Sequence, residues 1–262
     1  ESEAVVDGIL QLKGNRVIGA HARGKATLTV NAGVQTIFKD EIGLGDVKSQ
    51  IAYHVTGGHA VANVADQLNP VDITTQNSTL YLADEGGQVN AGRLNITASG
   101  QDVVMLAANG RSLDPAGGAG TASNITTTGG TYALTGSNSK AIIVSGGATA
   151  DVAGTATVTG AAAGTVIGIA DGRPYGWDNL PEPNSVPVDG PTKLVSALNT
   201  DIDTANTTGY IARQKAELEY KGTRLNLTGA GSIGAKIEND STALFNFNND
   251  NATVNVAGDA IQ

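Results

Sequence analysis

The sequence predicts an all-β chain built as a stack of similar coils, a β-solenoid. A repeated phrase, an unusual composition and a high density of turn signals point to it. Leu94-Asn95-Ile96-Thr97-Ala98-Ser99-Gly100 leads into Val103-Val104-Met105-Leu106 and then Asn109-Gly110. Leu225-Asn226-Leu227-Thr228-Gly229-Ala230-Gly231 leads into Ile233, Ile237 and Asn239-Asp240. A looser copy runs from Ala156-Thr157-Val158-Thr159-Gly160 to Val166-Ile167-Gly168-Ile169 and Asp171-Gly172. Each copy reads as a short strand, a glycine turn, a second strand and a polar turn. Self-similarity of this kind is the signature of stacked repeats.

Composition agrees. Glycine fills 35 of 262 positions, against six Tyr, three Phe and one Trp. Few large side chains and many small β-formers suit a thin core repeated many times, with room in each coil for Val, Ile, Ala or Thr.

Along the chain, Ile9-Leu10-Gln11-Leu12, Ala26-Thr27-Leu28-Thr29-Val30, Ile51-Ala52-Tyr53-His54-Val55 and Thr79-Leu80-Tyr81-Leu82 read as strands. Asp7-Gly8, Gly57-Gly58, Gly86-Gly87, Gly129-Gly130 and Gly146-Gly147 read as the turns between them. The spacings Ile96 to Ile125, Ile125 to Val158 and Leu227 to Val256 are 29, 33 and 29 residues. A constant phrase at variable spacing is what coils with loop insertions produce, and a sandwich has no reason to repeat it.

Residues 1–172 therefore read as solenoid coils and 223–262 as their continuation. Between them the pattern stops, and 173–222 reads as one large loop and helical excursion. Five of the seven prolines and Trp177 lie there. Leu194, Val195 and Leu198 fall on one helical face, and 211–220 holds strong helix formers or a long strand. Decorations on repeat scaffolds often carry recognition. Arg173, Tyr175, Trp177 and Asp178, in a Pro/Gly-constrained segment, are accordingly the candidate ligand-binding residues. In the competing reading, Tyr175 and Trp177 fold back to anchor the excursion on the solenoid wall.

The chemistry of the remaining residues argues against catalysis. No nucleophile elbow is present. His54 and His59 flank a glycine turn, lack a clear third zinc ligand and read as turn and surface histidines. The acid pairs Asp40-Glu41, Asp84-Glu85 and Asp201-Ile202-Asp203 sit beside turns and read as solvated charge, and Ser112 reads as an exposed turn. Gly117-Gly118-Ala119-Gly120-Thr121-Ala122 has Ala where a calcium-binding repeat needs Asp. The amide-rich Asn248-Asn249-Asp250-Asn251 suits a stacked Asn ladder. No cofactor, no metal and no catalytic residue is expected. Net charge is −9 with a pI near 4.7, which makes nucleic acid a poor partner. No apolar run reaches the roughly 18 residues of a membrane helix, so direct membrane insertion is not expected. The absence of cysteine suits passage through an oxidising periplasm. The ends, Glu1 and Gln262 in mid-pattern, read as those of a piece of a longer protein.

The Thr-Val-Thr-Gly phrases, Ala141-Ile142-Ile143-Val144-Ser145-Gly146-Gly147-Ala148-Thr149 and Gly234-Ala235-Lys236-Ile237-Glu238-Asn239-Asp240 resemble passenger domains of bacterial autotransporters of the pertactin-like and self-associating adhesin type. The likeness covers roughly 90–170 and 223–262, and the first 90 residues more weakly. It implies a right-handed parallel β-helix exported through the outer membrane and displayed outside the cell. The implied role is adhesion or biofilm formation, through host glycan, matrix, a cell-surface protein or self-association. A β-helical polysaccharide lyase or hydrolase and a passive stalk are the alternatives.

Overall fold

The computed structural model describes residues 2–40, 49–111, 120–247, 253–256 and 259–261. The apolar–polar alternations form short strands that the chain deals alternately into two long sheets. The first sheet runs through Ser2–Val6, Ala26–Val30, Val61–Val64, Gln88–Ala98, Asn124–Leu134, Thr149–Val158, Lys193–Ile202, Glu217–Tyr220 and Thr242–Phe245. Val71–Ile73, Arg224–Leu227 and Thr253–Val256 pair beside that path. The second sheet runs from Ile18–Arg23 through Ile51–Thr56, Thr79–Asp84, Val104–Asn109, Lys140–Ser145, Val166–Asp171 and Thr208–Arg213 to Ile233–Ile237 and Asp259–Ile261. Ile9–Lys13 and Gln35–Lys39 form a small third pair. The strand pairings of the described residues are parallel. One strand of each long sheet makes a layer.

The two sheets differ in how they are covered. Strand Lys193–Ile202 of the first sheet alternates half-buried and buried residues, with Leu194, Leu198 and Ile202 turned to the core. That is the pattern of a sheet wet on one face. In the second sheet Ile51–Thr56, Thr79–Asp84, Val104–Asn109 and Val166–Asp171 are buried at every position. Something must lie on its outer face.

The twin phrases both belong to the first sheet, inside Gln88–Ala98 and at Arg224–Leu227. Following the register layer by layer, Ala98 stacks through Leu134, Val158 and Ile202 on Leu227. The copies are thus offset by two residues. A two-residue slip keeps the same side chains facing the core, which a one-residue slip would not.

Two expectations are corrected. The core is not confined to small residues: all six tyrosines are buried, at 2% exposure or less. Tyr53 and Tyr81 stack 4.8 Å apart in consecutive layers. Their companions find hydroxyl partners inside, Tyr132 on Thr127 and Tyr210 on Ser196 and Thr200. The described residues also contain no helix. Leu194, Val195 and Leu198 lie in a strand whose ten positions pair with Thr149–Val158, and this long ladder overrides a helical pattern. The helix formers of 211–220 are split by Gln214 and Lys215, both left-handed, between Thr208–Arg213 and Glu217–Tyr220. Of the expected excursion 173–222, the part up to residue 192 lies outside the two sheets and the rest supplies strands to both.

Candidate functional site

Passing from the second sheet back to the first takes three residues in a plain layer, as at 85–87, 146–148 and 214–216. Two consecutive left-handed residues make this turn: Glu85 and Gly86 (φ 52° and 92°), Gly146 and Gly147 (57° and 92°), Gln214 and Lys215 (57° and 63°). The same turn is expanded after Asn109 and, to residues 172–192, after Asp171. The second expansion is a flap. It leaves at Asp171, doubles back through an antiparallel bridge between Tyr175 and Pro181, and rejoins where the Val188 amide donates to the Gly146 carbonyl. Its tip, Trp177 to Asn179, reaches back to the layers of Thr79–Asp84 and Ile51–Thr56. That is roughly 19 Å at about 4.8 Å per layer.

A column of polar residues at the strand ends fastens it. Register stacks Arg23, Thr56, Asp84, Asn109, Ser145, Asp171 and Arg213 in that order. Thr56, Asp84, Asn109, Ser145 and Asp171 are buried. At the flap's root Asp171 accepts from Arg173 Nε at 3.0 Å, Tyr175 Oη at 2.7 Å and Arg213 Nε at 2.7 Å. Midway, Asn109 Nδ2 donates to the Gly176 carbonyl at 2.8 Å, and Ser145 Oγ holds the Asn109 amide oxygen. At the tip, Asn179 Nδ2 donates to Thr79 Oγ1 at 2.9 Å and Trp177 Nε1 donates to Asp84. Arg111, from the expanded turn after Asn109, closes the clamp. It binds Asp84 through Nη2 at 2.9 Å, Glu85 at 3.3 Å and the flap's Glu182 through Nη1 at 2.9 Å.

Electrostatics separate the two carboxylates. Burial pushes Asp171 up, but the hydrogen bonds from Arg173, Tyr175 and Arg213 outweigh it and hold the group below the usual range. Burial dominates at Asp84 and raises it despite Arg111. His54, fully buried, stacks on His21 at 4.6 Å and meets the Trp177 ring edge-on at 4.7 Å. Burial, then His21 and Arg111, lower His54 to about 4. Its Nε2 is 4.0 Å from Asp84, and neither ring nitrogen has a hydrogen-bond partner among the described residues.

Beside the flap tip runs a groove across the outer face of the second sheet. One half, about 460 Å³, is lined by Arg16, Ile18, Ser49, Ile51, Asn77, Trp177 and Asp178. The adjoining half, about 420 Å³, shares Ser49, Asn77 and Asp178 and adds Asp102, Val104, Lys140, Asn179 and Leu180. Trp177 is 44% exposed and Leu180 61%. Burial lowers Lys140, with Asp102 opposing.

The four residues expected in the excursion are thus divided. Arg173 and Tyr175 meet on Asp171 at the root and anchor, while Trp177 and Asp178 border the groove at the tip. Trp177 does both jobs, since it also ties to Asp84. Two further expectations are corrected. Asp84 is buried and ion-paired, not solvated turn charge, and His54 is buried rather than at the surface; the flap covers both. His59 is exposed as expected. Among the described residues no group of His, Asp and Glu is arranged to hold a metal ion. Ser112, the glycines 117–118 and the Asn248–Asn251 run lie outside the described residues. Sequence reasoning gave no role to Arg111 or Lys140, and it named Asp84 and His54 only as solvated turn charge and a surface histidine. The available signal was the polar residue that closes successive apolar hexamers before a turn, at Asp84, Asn109, Ser145 and Asp171.

Known proteins add no further constraint. The chain matches no family model, no curated protein and no solved structure.

Proposed function

We propose that this chain is a right-handed parallel β-helix from a bacterial surface adhesin, exported across the outer membrane, that works by binding and not by catalysis. The observation that carries the proposal is the flap. Residues 172–192 are pinned by a buried polar column to a sheet that would otherwise be open, and the result is a groove with a half-exposed tryptophan on its rim. Aromatic and charged side chains on a rigid support are the economical way to build a contact site. Repetition of the molecule over a cell surface would turn modest affinity into firm attachment. A lyase or hydrolase needs carboxylates free to act on a sugar. Acids from separate layers do meet at Arg111, but Asp84 is fully buried and engaged by Arg111 and Trp177, so the support favours binding.

The test replaces 172–192 with Gly-Gly-Ala, the turn that does the same work at 146–148, in protein displayed on cells. Adhesion to host cells or matrix, or cell–cell aggregation, is expected to fall at least tenfold while the purified protein keeps its β circular dichroism. Undiminished attachment would remove the flap from the binding site and leave either the outer face of the first sheet or a stalk role.

A further inference from the structure

We infer that the groove beside Trp177 is a binding site for a linear, uncharged glycan, an inference that rests on the adhesin reading above and names its ligand class. The shape is the first argument. The groove passes the flap tip, with Ile18 and Ile51 in one half and Val104 and Lys140 in the other. These open strands that register stacks in one column, whose middle member, Thr79, lies under Asn179 of the flap. The two halves meet at Ser49, Asn77 and Asp178 and together reach across about 19 Å of the stack, which suits a polymer lying along it, and each half is of small-molecule-site size.

The lining is the second. A pyranose chain offers C–H-rich ring faces and hydroxyl edges. Ile18, Ile51 and the exposed part of Trp177 supply an apolar platform for ring faces, while Ser49, Asn77 and Asp178 supply hydroxyl, amide and carboxylate partners for hydroxyls. Arg111 lies 5.9 Å over the Trp177 ring, and His54 braces the ring edge-on. The indole is therefore held in place before any ligand arrives, which spares the ordering cost of binding.

Charge and backbone chemistry narrow the class. Arg16 and Lys140 stand against Asp102 and Asp178, so the groove's formal charge is balanced. The chain as a whole carries −9, which repels polyanions such as sulfated polysaccharides and nucleic acid. An extended peptide would bind best by adding to a strand edge. The groove lies on a sheet face, where the main-chain groups are already spent on the parallel ladders, so a peptide gains little there.

Trp177 is the only tryptophan in the chain, so its emission reports on this site alone. The experiment titrates the intact protein with cellohexaose, mannohexaose, chitohexaose and, as polyanion, a heparin hexasaccharide. At least one neutral hexasaccharide is expected to shift the emission saturably, and heparin is expected to leave it unchanged. Calorimetry on W177A should show affinity for that glycan at least tenfold weaker. L180A, whose side chain is exposed and makes no part of the clamp, should weaken it about threefold with an unchanged melting temperature. No saturable shift with any of the three neutral glycans would overturn the inference, as would preference for heparin or full affinity in W177A. The two proposals fail separately. Loss of adhesion on flap replacement without glycan binding sinks only the glycan. Glycan binding with adhesion intact after flap replacement sinks the flap as the adhesive site.

Discussion

Replacing Arg111 with Met removes the clamp's cation while keeping a side chain of similar length. In the native protein the Arg111 side chain is 11% exposed and the Asp84 side chain fully buried, with Arg111 Nη2 2.9 Å from the carboxylate. R111M leaves Asp84 with Trp177 as its remaining side-chain donor. Removing one partner of a buried ion pair costs about 3–5 kcal/mol, because the other charge stays desolvated. Glu85 and Glu182 are more exposed, and losing their pairing adds only about 0–1 kcal/mol. At about 2–4 °C per kcal/mol for a chain of this size, the expected drop in melting temperature is roughly 10 °C. Trp177 emission should shift to the red as the flap tip lifts, at a lower temperature than the circular dichroism transition. The double variant R111M/D84N, which removes the stranded charge, should recover about 2 kcal/mol of the loss by the logic of a double-mutant cycle. If R111M melts within 2 °C of the native protein and its emission is unchanged, the clamp does not hold the flap.

Further outcomes follow from the same geometry. His54 stays neutral when folded, with its pKa lowered from 6.5 to about 4. The unfolded chain therefore takes up the proton first as pH falls, and stability present above pH 6.5 drains away between 6.5 and 4. The linkage amounts to about 2 kcal/mol between pH 7 and pH 5. Since His21, Asp84, Arg111 and Trp177 all face the ring, the measurement is the difference from H54L, which should show a flatter melting profile over that interval. Gly147 sits at φ 92°, and a Cβ there would come 2.5 Å from the Val188 carbonyl oxygen of the flap. G147A should cost about 1–3 kcal/mol in thermal unfolding. Y210F removes the hydroxyl that joins Ser196 and Thr200 inside the core. It should cost about 1–3 kcal/mol in chemical denaturation, since both partners are left buried.

Local patterning carried most of the fold. Alternation in Lys193–Ile202 and the apolar hexamers such as Val104–Asn109 reflect which face of each strand meets the core, and that period is written in consecutive residues. Register was less legible: the copies at Leu94 and Leu225 differ by two positions, and either alignment buries the same side chains. The limits of the excursion were blurred because Leu194, Val195 and Leu198 satisfy a helical period as well as a strand period, and only pairing with Thr149–Val158 decides between them. The site was legible in part. Trp177 and Asp178 stood out by composition, and Tyr175 fits the anchoring alternative. Asp84 and His54 did not stand out, because a polar residue before a glycine turn reads the same whether water or a flap covers it. The contact from Asn179 to Thr79 spans 100 positions, and nothing local encodes it.

Docking of the flap before any ligand binds is tested most directly by native-state hydrogen exchange. The amides of Gly176, Glu182 and Val188 donate to Leu180, Pro174 and Gly146 within and beneath the flap. In the native protein they should exchange far more slowly than free peptide, with protection lost in R111M while the strand amides of the second sheet keep theirs. Exchange of these three amides at the free-peptide rate in the native protein would show an undocked loop and contradict the pre-formed groove.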